Sequence, residues 1–292
     1  MFDAFEVIRN ADMKEYTTLK LGGPADYLAF PRSADEICAL FREAGEHGMP
    51  VTVIGHGSNL LVLDGGIRGL VIRIGRNMSR IDVNGRILRA EAGTMLGTAA
   101  LAAADAGLAG LEFACGIPGT VGGGTAMNAG AYDGEMAQVV ISAEGVQPDG
   151  TRLQLNREEL DFGYRHSSVS QRNMILTAVT FELKEDNREA IRARMSELNR
   201  RRAEKQPLDM PSAGSTFKRP EGYYAAALID QCGLKGYSIG GARVSMKHAG
   251  FLVNTGDSAN DFLTLMRYVQ RIVRERADVQ LEPEVRVIGE EA

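Results

Sequence analysis

The sequence predicts an α+β protein, and three observations predict it. Apolar residues recur at helical spacing in some segments and as short β-branched runs in others. The strand-like runs are joined by turn signals, Asn84-Gly85 and Pro148-Asp149-Gly150, as well as by helices. The order lacks the strict alternation of strand and helix that a doubly wound parallel sheet needs.

Taken along the chain, Ser33-Ala34-Asp35-Glu36 is a capping-box pattern, and Ile37, Leu40, Phe41 and Ala44 form one apolar face behind it, so a helix is expected. Pro50-Val51-Thr52-Val53-Ile54 reads as a short buried strand that enters Gly55-His56-Gly57-Ser58-Asn59. β-like segments follow at 60–63 and 67–74, then a hairpin around Asn84-Gly85. An Ala-rich helix is expected over 95–106, leading into the densest glycine stretch, 116–130. Strands are expected at 139–146 and 174–183, with a short helix ahead of Phe162 and one strand-like passage over 167–182. A charged helix covers 188–205 and stops at Pro207; Ser258-Ala259-Asn260-Asp261 caps a last helix whose buried face is Phe262, Met266, Val269 and Val273.

Length and composition bound the rest. With 292 residues, 44% hydrophobic and 24% charged, the chain has room for two domains or more with a sizeable core. No apolar run reaches the roughly 20 residues that span a bilayer. The start, Met1-Phe2-Asp3-Ala4-Phe5-Glu6, carries acids and no basic region, and Cys38, Cys115 and Cys232 make neither a disulfide framework nor a metal site; a cytoplasmic setting is expected. The net charge of −5 argues against nucleic acid, yet residues 200–247 hold nine basic side chains against four acidic ones. That stretch carries either a solvated helix face or a site for an anionic ligand.

Gly55 and Gly57 close a strand, where the lack of a Cβ lets backbone N–H groups approach phosphate oxygens. The loop is neither a Rossmann fingerprint nor a Walker A loop: no third glycine opens a helix, and no Gly-Lys-Ser/Thr follows. A tight turn between strands has the same appearance. The second loop, Gly116-Ile117-Pro118-Gly119-Thr120-Val121-Gly122-Gly123-Gly124, suits a pyrophosphate through successive N–H groups and the Thr120 hydroxyl. Two such loops suggest a dinucleotide held between two subdomains. His56 reads as a turn residue rather than a covalent attachment point, and no metal site is expected from scattered His47, His166 and His248.

Three patches are poorly explained by packing: Phe162-Gly163-Tyr164-Arg165-His166-Ser167, Ala213-Gly214-Ser215-Thr216-Phe217-Lys218-Arg219, and Leu281-Glu282-Pro283-Glu284-Val285-Arg286. In this order, with both glycine loops and with Thr17-Thr18-Leu19-Lys20-Leu21-Gly22-Gly23-Pro24-Ala25, the chain resembles the UDP-N-acetylenolpyruvoylglucosamine reductases of bacterial peptidoglycan synthesis over nearly its whole length. The resemblance implies the FAD-binding fold of vanillyl-alcohol oxidase, in two α+β subdomains (1–80 and 81–205), then a substrate-binding α+β domain (206–292) whose last strand returns Glu284 to the flavin site. It implies non-covalent FAD held by Ile54, Gly55, Gly57, Ser58, Asn59 and Leu60 and by Ile117, Gly119, Thr120, Gly122 and Gly123. NADPH is the implied hydride donor, using the pocket before the UDP-sugar arrives.

The family's catalytic trio carries over onto Arg165, Ser215 and Glu284. The substrate is an enol ether conjugated to a carboxylate, so hydride from flavin N5 to C3 builds negative charge on that carboxylate. A fixed cation such as Arg165 grips it more strongly as the charge grows. Ser215 is the implied proton donor to C2, aided by Lys218, and Glu284 has to be protonated or share a proton to stabilise the anion. Tyr164, Lys218 and Arg219 are expected at the diphosphate or sugar. The chain resembles the shorter subtype, without the tyrosine-bearing loop that closes over substrate in some members, and Met246 stands where an acidic residue is expected. No obligate protein partner is implied. The alternative is another FAD-dependent oxidase of the same fold acting on a carbohydrate or alcohol, which has no reason to hold Ser215, Lys218 and Glu284.

Overall fold

The computed structural model describes all 292 residues. Six α-helices and mainly short strands make a mixed α and β structure, as expected. The chain forms two compact units: unit 1 comprises Met1–Ile8, Tyr27–His56 and Gly69–Arg202, and unit 2 comprises Arg9–Asp26, Gly57–Arg68 and Ala203–Ala292. Each has its own hydrophobic core.

In unit 1 an antiparallel five-stranded sheet runs in the order Arg152–Asn156, Val140–Val146, Ile175–Glu182, Ile87–Glu91, Ile81–Asn84. Its inner face alternates in from the pleat: Leu88 and Ala90 on one strand, Val179 and Phe181 on the next, all buried. The hairpin at Gly85 is the one expected, with Asn84 opposite Ile87 and Gly85 at φ 55°. Elsewhere in the unit, Val51–Ile54 runs parallel to Ile67–Arg73, with Val51 opposite Leu70.

Helix α1 (Ala34–Glu46) is capped by Ser33, whose hydroxyl accepts from Glu36 N at 3.2 Å. The box is only half closed, because the Glu36 carboxylate takes the N–H of Arg32 at 2.9 Å instead of that of Ser33. Helix α2 (Leu96–Asp105) buries Leu96, Ala99, Ala100, Ala103 and Ala104. Helix α3 (Val121–Ala126) lies inside what the sequence reads as a glycine loop. Helix α4 (Arg188–Lys205) buries fully only Ile191 and is held at its flanks by ion pairs of Arg192 with Asp105 and of Arg194 with Glu112 and Asp186. The short helix expected before Phe162 is a turn: Asn156 and Glu159 exchange two side-chain-to-backbone bonds at 2.9 Å, but Asp161 turns to φ 44° and no helix propagates. The passage after Ser167 is also a turn through Asn173 (φ 50°), and the strand begins only at Ile175.

In unit 2, helices α5 (Ala225–Gln231) and α6 (Ala259–Ala277) accompany an antiparallel sheet of Ser238–Ile239, Ala242–Val244 and Leu252–Asn254. Phe262, Met266, Val269 and Val273 of α6 are buried as expected, each contributing about 1.5–3 kcal/mol. Ser258 caps the helix, and the Asp64 carboxylate accepts from Ala259 N at 2.8 Å and Asn260 N at 3.1 Å, placing negative charge at a helix N-terminus. Leu60–Val62 pairs in parallel with Arg286–Ile288, and Asn254 Nδ2 donates to Leu19 O at 3.1 Å.

Candidate active site

Unit 1 brings Gly55, from the first glycine-rich segment, against Thr120 of the second. Thr120 caps α3, its hydroxyl accepting from Gly123 N at 3.3 Å. A Cβ on Gly55 would lie 2.6 Å from that same hydroxyl oxygen, so Gly55 must lack a side chain for Thr120 to sit there. Two residues on, Gly57 adopts φ +72°.

The backbone donors divide differently from the sequence expectation. Gly119, Val121, Gly122 and Gly124 give their N–H groups to the carbonyls of Ile117, Thr94, Ala92 and Thr120 at 2.7–2.9 Å. These successive donors are therefore engaged in building and seating α3. Gly122 is also close-packed, since a Cβ there would stand 2.8 Å from Ala92 Cβ. In the first loop, by contrast, none of the N–H groups of Gly55, Gly57, Ser58 and Asn59 goes to a backbone carbonyl. In unit 1, the Gly55 N–H and the Thr120 hydroxyl beside it suit a phosphate-bearing cofactor. The residues present thus fit a group that carries phosphates, and the first loop has more free donors than the second. Ile54 is buried at the strand end, and His56 is half-buried in the turn.

Also in unit 1, Tyr164 and Arg165 are the two central residues of a tight turn closed by Gly163 N to His166 O at 3.1 Å and His166 N to Gly163 O at 3.2 Å. Arg165 has φ +55°, an uncommon conformation for a residue with a Cβ. Its guanidinium carbon lies 5.4 Å from the centre of the exposed Tyr164 ring. The turn is tied to the end of α3: Asn128 Nδ2 donates to Gly163 O at 2.9 Å, and the Ser167 hydroxyl donates to Ala126 O at 2.9 Å. Asn128 has no signal of its own in the sequence, because the helix it follows lies in a stretch that reads as a glycine loop.

Unit 2 brings the segments that carry Ser215 and Glu284 side by side, although neither residue lies in a strand and the last strand begins only at Arg286. Phe217 and Pro283 form an antiparallel bridge, Glu284 N donates to Thr216 O at 2.8 Å, and Lys218 N donates to Glu282 O at 2.8 Å. Ser215 follows Gly214, which takes φ +76°. Thr216 is buried, its N–H on Gly250 O and its hydroxyl accepting from Leu252 N at 3.1 Å. Glu284 is half-buried, and its carbonyl accepts from Asn59 Nδ2 at 3.0 Å while Arg286 N donates to Asn59 O at 3.0 Å. Leu60 then stands opposite Arg286 in the parallel pair.

Several cations of the basic stretch have acidic or aromatic partners. Arg200 is bonded to Glu197, Lys235 to Asp230 and Lys218 to Glu282. Arg219 lies 4.0 Å above the Tyr224 ring, and Tyr223 and Tyr224 are both exposed. Arg201 covers the Tyr132 ring, while burial pushes the Arg202 guanidinium down and the nearby Cys115 thiol up. Met246 is exposed, with its sulfur over Gly236. An open groove lined by Glu112, Tyr132, Gln138, Arg194 and Glu197 contains none of the residues expected to act. No helix is long and apolar enough to cross a membrane.

Comparison with known proteins bears on the same segments. Residues 206–288 match the UDP-N-acetylenolpyruvoylglucosamine reductase C-terminal domain, and residues 25–156 match an FAD binding domain. The chain is 51% identical to the UDP-N-acetylenolpyruvoylglucosamine reductase of Lactiplantibacillus plantarum, covering 99% of this chain and 96% of that protein. It is 46% identical to the corresponding reductase of Clostridium novyi, covering 100% and 95%. The crystal structure of UDP-N-acetylenolpyruvylglucosamine reductase from Thermus caldophilus is 40% identical, with a TM-score of 0.83 over 97% of this chain and 98% of that one.

Proposed function

The chain belongs to the UDP-N-acetylenolpyruvoylglucosamine reductase family, and from that premise we propose which of its residues perform the reduction. The enzyme is an FAD- and NADPH-dependent oxidoreductase that converts UDP-N-acetylglucosamine enolpyruvate to UDP-N-acetylmuramate in peptidoglycan synthesis. FAD, when bound, relays hydride from NADPH to C3 of the enolpyruvyl group. Ile54, Gly55, Gly57, Ser58, Asn59 and Leu60 would hold it from one loop, and Ile117, Gly119, Thr120, Gly122 and Gly123 from the other. The close approach of Gly55 to Thr120 supports this assignment.

Arg165 grips the substrate carboxylate, where its permanent charge is worth most as negative charge builds. Ser215 delivers a proton to C2, and Glu284, in its protonated form, stabilises the anion that precedes that delivery. The single observation that supports the pairing is the backbone bond from Glu284 N to Thr216 O. Lys218, Arg219 and Tyr164 are assigned to the diphosphate and sugar. Three parts divide the work: 1–80 and 81–205 hold the cofactor, and 206–292 receives the sugar. A cytoplasmic location follows from substrates that are a nucleotide sugar and NADPH. Purified holoenzyme should consume NADPH beyond one equivalent per FAD only when the enolpyruvyl sugar is present, with a product two hydrogens heavier by mass. Fast reoxidation of the reduced flavin by oxygen, with none by the enolpyruvyl sugar, would instead favour the oxidase.

A further inference from the structure

We infer that Asn128 is a positioning residue for Arg165: its buried carboxamide fixes the turn that aims the guanidinium. The inference rests on the reading of Arg165 as the cation that grips the substrate carboxylate.

The carboxamide is used at both ends. Nδ2 donates to Gly163 O, and Oδ1 accepts from Ala137 N, each at 2.9 Å. Only 2% of Asn128 is exposed, so these bonds form away from water, where losing a partner is costly. Gly163 O also accepts from His166 N, the bond that closes the Tyr164–Arg165 turn. Asn128 therefore grips the turn at its hinge carbonyl, two residues before Arg165. The turn itself inserts little into the core: Tyr164 is 56% exposed and Arg165 is half-buried. Ser167, buried just beyond the turn, ties the same segment to Ala126 O, so two bonds lead from the end of α3 to this stretch. A tether of this kind on the carbonyl that closes the turn serves to place the backbone of Arg165. That backbone has φ +55°, a conformation that relaxes readily once its restraints are cut. Misplacing a carboxylate-gripping fork by about 1 Å can cost on the order of a hundredfold in rate.

Asn128 also has φ +43° just past α3, a place where asparagine is common for backbone reasons alone. Two variants separate the roles. Asn128→Gly keeps that backbone accessible and removes the carboxamide. Asn128→Asp keeps the acceptor for Ala137 N and removes the donor to Gly163 O. Both are read in the FAD-loaded enzyme by amide hydrogen exchange at Gly163 and His166 and by separate measurement of flavin reduction by NADPH and reoxidation by the enolpyruvyl sugar.

We expect faster exchange at the two amides, NADPH reduction within about twofold of the wild type, and sugar-driven reoxidation slowed about tenfold to a hundredfold. In an Arg165→Lys background, which lacks the fork to be aligned, the Asn128→Asp factor should shrink to about twofold. If Asn128→Gly does not retain FAD, Asn128→Asp decides alone. Unchanged exchange in a variant that holds FAD, or an Asn128→Asp factor that persists in full beside Arg165→Lys, overturns the inference. A wild-type rate of sugar reduction in Arg165→Lys alone removes the reading of Arg165 itself.

Discussion

The N–H of Glu284 donates to the carbonyl oxygen of Thr216 at 2.8 Å, so the residue that follows Ser215 is locked to the segment that carries the carboxyl group. Ser215 and Glu284 are far apart in sequence, yet their backbones are fixed in one short antiparallel pairing. A proton donor and a carboxyl group acting on one anion need such a shared frame, because either group displaced alone loses the geometry that both require.

The first prediction concerns Glu284. Glu284→Gln keeps the shape and the backbone bonds to Thr216 and Asn59 but removes the acidic proton. Reduction of FAD by NADPH should stay near the wild-type rate, and reoxidation by the enolpyruvyl sugar should fall about a hundredfold or more. Rapid-mixing absorbance of the flavin separates the two. An unchanged second step would remove Glu284 from the chemistry.

Gly55 offers a test of the cofactor loop. A Cβ there meets the Thr120 hydroxyl oxygen at 2.6 Å, so Gly55→Ala should weaken FAD retention, read as the flavin-to-protein absorbance ratio after dialysis. Thr120→Ala removes the obstructing oxygen, although it also removes a helix cap worth about 1 kcal/mol. The double variant should therefore retain more FAD than the sum of the single losses predicts. Strict additivity would show that the close approach has no bearing on the cofactor.

A pH effect is expected in unit 2. Burial holds His248 below its ordinary value of 6.5, and its Nδ1 accepts from Gly250 N at 3.2 Å, which requires the neutral ring. The unfolded chain therefore takes up a proton at higher pH than the folded one. The contribution of His248 is present in full above about 6.5 and is lost as pH falls from there through the lower folded value. His248→Asn keeps a comparable acceptor without a titrating ring. Denaturant midpoints measured from pH 7.5 to pH 5, as ~0.5-unit steps, should fall less steeply in this variant than in the wild type. Equal slopes would mean that His248 does not contribute.

Much of the fold was legible because its signals are local. Helices α1 and α6 follow from spacing and caps, α4 from its charged run and the stop at Pro207, and the Gly85 hairpin from its turn residues. Helix α3 was hidden, since Val121-Gly122-Gly123-Gly124 has poor intrinsic helix propensity, and it is the seat on Ala92 and Thr94 that holds it in place. The turn at 157–160 failed in the opposite sense: a capping pattern was present with no helix to follow. The candidate residues themselves were found by their resemblance to a family. Their neighbours were not legible, because Asn128 to Gly163 and Asn59 to Glu284 are contacts between distant segments that no periodicity encodes. In the basic stretch, the partners of Lys218, Lys235, Arg201 and Arg219 were equally illegible, since no local pattern encodes their ion pairs and ring contacts.

The central claim is that Ser215 protonates the substrate and has no part in taking hydride from NADPH. Anaerobic rapid mixing of the Ser215→Ala holoenzyme tests it most directly. Flavin bleaching by NADPH should proceed within about twofold of the wild-type rate, and recovery of flavin colour on adding the enolpyruvyl sugar should slow by on the order of a hundredfold to ten-thousandfold. Loss of both phases together, or recovery of colour at the wild-type rate, would contradict the account.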